Sequence, residues 1–310
     1  MRNFRMLAVG ASLLALLFSA CTTGDGSPIV SASPSGAALP TVVVGANSFT
    51  ESQVVAEIYA QALEAHGFTV ERQLDLGPRT ATYALLQSGD ITLMPEYIGS
   101  LTRFLGGEAT SDSDETRSAL VALLQADGLT ALDNAPGQDA DGFAVRADTA
   151  TQFGLATMTD AARVSDQLTW GLPPECATNP SCGPGLLAIY GIDISQLEVA
   201  AFDACSAAMI APLVAGAIDI AEVCTTQAAI EQFSLVLLAD DGGLAPAQNV
   251  VPVVSQALVD DAGAALTDVL NAVSAELTTE ELTLLGFQVD ISHDRLEDVA
   301  HKWLTDHGMV

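Results

Sequence analysis

Apolar positions along the first third of the chain alternate between two periods. Val42, Val43 and Val44 form a short β-branched run, the composition of a strand buried in a sheet. Val54, Val55, Ile58, Ala62 and Leu63 then fall on one face at helical spacing, and Gly67 stands where that helix must stop. Ser48 or Thr50 can act as the N-cap, with Glu51 or Gln53 three residues on to complete a capping box. A strand over 69–74, a helix over 79–88 stopped by Gly89, and a strand over 90–94 follow. That last strand leads into Pro95, Glu96 and Tyr97, an unusual ending for a core segment.

The same unit returns further along. A strand over 197–202, a helix over 206–215, a stop at Gly216 and a strand over 217–223 repeat the order. Sliding the first copy by 127 residues puts Gly89 on Gly216, Ile91 on Ile218, Leu93 on Ile220 and Tyr97 on Cys224. Identity between the copies is thin, so chance is the alternative. Strands alternating with helices predict parallel sheets, and two such units predict two α/β lobes. Ligands of open parallel sheets sit beyond the carboxyl ends of the strands, which is where Tyr97 and Cys224 would stand.

Composition adds a compartment. The chain has 310 residues, 49% of them apolar, enough for one large core or two of ordinary size. It opens with Arg2 and Arg5, an apolar run from Met6 to Phe18, then Ser19 and Ala20. This is the order of a secretory signal over 1–20, and the run is shorter than the roughly 20 apolar residues of a membrane span. FSAC resembles the lipobox of bacterial lipoproteins, which implies lipidation of Cys21; the alternative is an ordinary signal with an incidental cysteine. Residues 21–40, rich in Thr, Ser, Gly and Pro, read as a flexible tether. No later apolar run is long enough to span a membrane, so no fused permease is expected.

The formal charge is −29, and −31 once the first twenty residues, with two arginines and no acid, are removed. Such a body repels nucleic acid and anionic headgroups; its acidity serves solubility or attracts a cationic ligand. Cys176, Cys182, Cys205 and Cys224 are an even set in an oxidising compartment and predict two disulfides. The six-residue step suits a local staple, Cys176 with Cys182, leaving Cys205 with Cys224. Zinc is the competing use, but the spacings are not those of a finger or ribbon and no histidine lies near.

The segments VGANSFTESQVVAEIYAQALEAHGF, LMPEYIGS, GLPPECATNPSCGPGLLAIYGI, GAIDIAEVCTT and PAQNVVPVV resemble, in order, successive motifs of the glycine betaine, carnitine and choline substrate-binding proteins of ABC importers. The resemblance runs from about Val42 to Leu304. It implies a two-lobed type II periplasmic-binding-protein fold, α/β in class, with lobe I over 41–141 plus 250–310 and lobe II over 142–249. DADGFAVR and PAQNVVPVV would be the hinge strands. The partners implied are a small solute, an ABC permease and its ATPase, with membrane contact through the lipid anchor only. A monomeric extracytoplasmic protein without a cofactor is expected.

A quaternary ammonium has no N–H to donate, so apolar contact, aromatic faces and nearby negative charge must hold it; a cation–π contact contributes roughly 0.5 to 2 kcal/mol. By resemblance, Tyr97 is one cage wall, Ser100 the accompanying hydroxyl, and the loop Asn47, Ser48, Phe49 and Thr50 the other first-lobe contributor. The family often has an aromatic in the hinge motif and another before a Thr-Thr pair; here Asp141 and Cys224 stand in those places, Cys224 preceding Thr225. Phe143 and Trp170 can substitute or pack in the core. Asp141 can offer a carboxylate to a cation that has N–H groups, and Arg79 either clamps a carboxylate or is a surface residue. A Cys205–Cys224 disulfide would line the second lobe's side of the pocket.

An exported hydrolase is the rival class. The histidines are His66, His293, His301 and His307, none beside a nucleophile elbow, and GxSxG and HExxH are both absent. A binding protein acting as a sensor without a permease has the same sequence features.

Overall fold

The computed structural model describes residues 39–203 and 205–310. The signal segment, Cys21 and most of the tether lie outside the described residues. The valine run builds β1 (Thr41–Gly45), followed by β2 (Thr69–Gln73), β3 (Leu93–Tyr97), β4 (Leu129–Ala131), β5 (Asp141–Val145), β6 (Thr169–Leu172), β7 (Glu198–Ala201), β8 (Ile220–Cys224), β9 (Val236–Leu238) and β10 (Val250–Ser255). Helices α1 (Thr50–Ala65), α2 (Arg79–Ser88), α3 (Ile98–Phe104) and α4 (Ser113–Leu124) belong to the first half. The middle of the chain adds α5 (Ala147–Phe153), α6 (Met158–Ala162), the short α7 (Gly183–Gly185), α8 (Ala207–Ala215) and α9 (Ala229–Gln232). The C-terminal part is helical: α10 (Gln256–Ala262), α11 (Ala264–Glu276), α12 (Thr279–Asp290) and α13 (Leu296–Asp306).

These strands form two mixed sheets of five, ordered β2-β1-β3-β10-β4 and β7-β6-β8-β5-β9. In each, one strand runs antiparallel beside the centre: β10 against β3 and β4, β5 against β8 and β9. The two lobes thus share one topology. β3 and β8 hold the same central place, and their bounds differ by 127 positions, 93 to 220 and 97 to 224.

Side-chain alternation along the strands fills both faces of each sheet. Val250 and Val254 face the core built with α1, α11, α12 and α13, while Val251 and Val253 face the core built with α2, α3 and α4. In the second lobe Phe143, Val145 and Ile220 share one core with Trp170, while Ala144, Ala221 and Val223 share the other with Met209 and Leu213 of α8. The inner strands, such as β1 and β10, are covered on both sides and carry continuous apolar runs rather than alternating ones.

Two local expectations change. β3 does not end at Met94 but continues through Pro95 and Glu96 to Tyr97, because Pro95 lies opposite Pro252 of β10. Neither proline has an N–H to exchange, so the pair occupies a ladder position that needs none. The N-cap of α1 is Phe49, with no side-chain cap bond. Ser52 Oγ instead accepts the Asn47 backbone N–H at 3.0 Å, and Thr50 donates its hydroxyl to Asp290 Oδ1 at 2.6 Å. The first turn of α1 is therefore free of the expected capping box, and Glu51 points elsewhere.

The chain crosses between lobes twice, and the crossings touch: Gln138 and Asn249 form an antiparallel bridge, and the Asp139 N–H donates to Gln248 O at 3.2 Å. Gln248 Oε1 accepts both the backbone N–H and the hydroxyl of Ser100, at 2.9 and 3.1 Å. Only glycine fits at position 99, where a Cβ would come within 2.4 Å of Ala247 O. Both disulfides are formed, Cys176 with Cys182 and Cys205 with Cys224.

Candidate functional site

The C-terminal end of β3 delivers Tyr97, and the end of β1 delivers the loop into α1. The Tyr97 hydroxyl donates to Glu51 Oε1 at 2.5 Å, and the Tyr97 ring lies 6.0 Å from Phe49, tilted by 34°. Tyr97 is buried while Phe49 is 43% exposed, so Phe49 is the aromatic face that reaches open space.

That space is a cavity of about 660 Å³ between the lobes. The first lobe contributes Ser48, Phe49, Thr50 and Glu51 at the start of α1, with Asp290 and Ile291 at the end of α12. The hinge contributes Asp139. The second lobe faces them with Ala207, Ile210 and Ala211 of α8, with Thr226 and Gln227 after β8, and with Gln232 and Phe233 at the end of α9. Phe233 is 43% exposed, so an aromatic side chain stands open on each wall.

The electrostatics are one-sided. Glu51, Asp139 and Asp290 line the cavity, and no Lys, Arg or His does among the described residues. Burial pushes the Glu51 carboxyl up to about 7, nearby Asp139 adds to the rise, and the hydroxyls of Thr226 and Tyr97 oppose it. Burial likewise raises Asp139, with Thr226 opposing and Asp141 adding. Tyr97 is raised well above the ordinary phenol range, first by burial and then by Glu51 and Asp139. Two buried acceptors, Asp139 Oδ1 and Gln227 Oε1, make no hydrogen bond among the described residues, although buried polar atoms are ordinarily paired. The other Gln227 amide atom is engaged, Nε2 donating to Cys205 O at 3.1 Å.

Of the residues singled out from the sequence, Ser48, Phe49 and Thr50 line the cavity and Tyr97 stands directly behind it. Asn47 is buried beside them as a brace, its Oδ1 accepting from the Thr82 hydroxyl at 2.9 Å. Arg79 is bound in a two-pronged ion pair with the fully buried Glu96, Nε and Nη2 at 2.9 and 2.8 Å from its oxygens. Ser100 is tied to Gln248 of the hinge. Phe143 packs in the second-lobe core, edge-on to Trp170 at 5.7 Å.

Asp141 and Thr225 line a separate groove of about 500 Å³ with Gln138, Ala140 and Leu237. Thr225 closes the hinge there, donating to Gln138 O and accepting the Ala140 N–H, both at 2.9 Å. Cys224, disulfide-bonded to Cys205, ends β8 and does not line the cavity. Glu51, Asp139, Thr226, Gln227 and Phe233 do line it and were not singled out. Glu51 was legible only as a helix cap, and Thr226 only as a neighbour of Thr225.

Two α/β lobes with matching mixed sheets, two crossing connections and a cavity between them define a periplasmic-type solute-binding protein. The chain belongs to the family described as the substrate binding domain of ABC-type glycine betaine transport system, whose profile matches residues 40–306. This is a family of transport proteins, not of enzymes. Among relatives, the glycine-betaine-binding protein of Pseudomonas aeruginosa is 24% identical over 280 residues, 87% of this chain and 89% of that one. The carnitine transport binding protein OpuCC of Listeria monocytogenes is 25% identical over 279 residues, 87% of each. Among solved structures, apo YehZ from Escherichia coli superposes with a TM-score of 0.78 at 22% identity, covering 87% of this chain and 99% of that one. A glycine betaine/carnitine/choline ABC transporter structure gives 0.77 at 22%, covering 86% and 99%.

Proposed function

We propose that this chain is the extracytoplasmic, lipid-anchored solute-binding protein of an ABC importer, and that it captures a small organic ammonium of the osmoprotectant class by closing its lobes about the hinge. Lobe I comprises 41–141 with 250–310, and lobe II comprises 142–249. The observation that carries the reading is the cavity: an open aromatic on each wall, Phe49 and Phe233, around carboxylates and, among the described residues, no basic side chain. Aromatic faces and negative charge are what a methylated ammonium can use, and two cation–π contacts supply roughly 1 to 4 kcal/mol together. A solute touching both walls favours the state in which they are close, and this differential affinity drives closure. The anchor is Cys21, and the permease and its ATPase are the partners that read the closed form.

The test is calorimetry and thermal melting of the mature protein against choline, glycine betaine, carnitine and proline betaine. Saturable binding of at least one, weakened about threefold to thirtyfold by Phe233→Ala, is expected. Flat responses across the panel by folded protein, or full affinity in the variant, remove this assignment of the site.

A further inference from the structure

The cavity is divided chemically between its two walls. Its carboxylates come from the first lobe and the hinge: Glu51, Asp290 and Asp139. The second lobe supplies no carboxylate among the described residues. Apart from Thr226, Gln227 and Gln232, its wall is Ala207, Ile210, Ala211, Ala228, Ala229 and Phe233. Ala207, Ile210 and Ala211 lie three and four residues apart on α8 and so share one face of it.

The space between the walls is larger than an ammonium head needs. The lobes already touch beside it, because a Cβ on Gly286 of α12 would stand 4.0 Å from Thr226 O, in van der Waals contact across the cleft. With the lobes that close, the cavity still holds about 660 Å³, within the range of roughly 300 to 1,000 Å³ that encloses drug-sized ligands. A nitrogen bearing four methyl groups takes at most about 150 Å³, at about 30 Å³ for each water-sized group. Alanine at 207, 211, 228 and 229 leaves much of the rest open, since a longer side chain at any of them would enter the cavity. Water in that part meets side chains that offer it no hydrogen bond, so an apolar group that displaces it gains affinity.

Resting on the solute-binding reading above, we infer that the ligand carries an extended apolar arm, a short hydrocarbon or acyl chain, on its ammonium. The head lies against the carboxylates of the first lobe and hinge, and the arm lies along α8 and Phe233 of the second lobe. The head group is the one proposed above. Each lobe therefore holds the ligand by a different force, charge on one side and apolar burial on the other.

The experiment is calorimetry of the mature protein with tetramethylammonium, butyltrimethylammonium and hexyltrimethylammonium, with choline and glycine betaine as references. The head is constant along the series and does not titrate, so only the arm varies. A fully buried methylene is worth about fourfold in affinity. The butyl compound should bind about tenfold or more tightly than tetramethylammonium, and the hexyl compound more tightly again. Ala207 and Ala211 are exposed to the cavity, so the double variant Ala207→Leu with Ala211→Leu fills the arm's place without entering the core. It should lower the ratio of hexyl to tetramethyl affinity about tenfold, the burial of roughly two methylenes, whereas a variant that only impeded closure would move the whole series together. Affinity that is level or falls with chain length, while choline or glycine betaine binds, overturns this inference and leaves the solute-binding reading intact. A ratio unchanged in the double variant also overturns it, because the gain with length would then come from elsewhere on the protein. Absence of binding by every probe, to protein with an unchanged melting transition, overturns both.

Discussion

Glu51 offers a sharp test of how the cavity handles charge. Its carboxyl sits near 7 because the cavity desolvates it and Asp139 stands near, while an unfolded glutamate sits at 4.5. The folded value is the higher one, so the folded protein holds a proton that the unfolded chain has lost. Stability from this group is fully present below pH 4.5 and is lost as pH rises through about 7, by up to about 3 kcal/mol.

A bound cation reverses the sense. In contact with Glu51 at an effective dielectric of about 20 it gains about 4 kcal/mol, more than the roughly 3 kcal/mol needed to strip the proton at pH 5. Binding then releases about one proton, and affinity climbs about tenfold per pH unit from pH 5 to near 7 before levelling. Choline is the right probe because it does not titrate. Calorimetry in two buffers of different ionisation enthalpy reads the proton directly. Glu51→Gln keeps the size of the side chain and an acceptor for the Tyr97 hydroxyl, and it should flatten the slope. Asp139 from the hinge and Asp290 from α12 also line the cavity, Tyr97 of β3 stands behind Glu51, and Glu222 is likewise pushed up to about 7 by burial, Asp141 and Glu175. The difference between parent and variant is therefore the measurement. A parent protein whose choline affinity is level from about pH 5 to pH 8 refutes the reasoning.

Arg79→Met should destabilise without loosening the ligand. It leaves fully buried Glu96 without its guanidinium, a loss of about 3 kcal/mol, read as a fall in Tm of roughly 6 to 12 °C. An unchanged Tm with lost affinity would instead make Arg79 a ligand clamp. Opening the 19-residue Cys205–Cys224 link as the double serine variant should cost about 3 kcal/mol and lower Tm while leaving ligand selectivity unchanged; a changed rank order of ligands would place the disulfide in the pocket wall. Gly99→Ala drives a Cβ to 2.4 Å from Ala247 O in the hinge and should cost about 1 to 3 kcal/mol by denaturant melting; a neutral result would show that the hinge yields there.

The repeat was the most legible part of the chain. A slide of 127 residues, found on Gly89, Ile91 and Leu93, carries β3 onto β8 bound for bound, and both lie at the centre of sheets with the same order. It was legible because strand burial and helix stops are local properties of composition. The cavity was harder to see. Its second-lobe wall comes from Thr226, Gln227 and Phe233, after β8, in a turn and a four-residue helix with no periodic pattern. Glu51 and Ser52 look like capping residues, and only tertiary contact turns one toward Tyr97 and the other back onto Asn47. Arg79 and Glu96 are 17 residues apart, and nothing local announces that they pair.

The same tertiary contact links acidity to lobe position. Thr226 belongs to the second lobe and Glu51 to the first, and both line the cavity, so the proposed separation of the lobes would expose Glu51 to water and also remove the Thr226 hydroxyl that opposes its rise. In the proposed open state, water returns to Glu51 and its proton leaves more easily. An empty protein can close only by neutralising or desolvating that carboxylate, at a cost. A protein holding a cation closes with the charge compensated. On the proposed closing motion, the carboxylates oppose closure of the empty cleft and favour closure of the filled one, the discrimination that an importer would require of its binding protein.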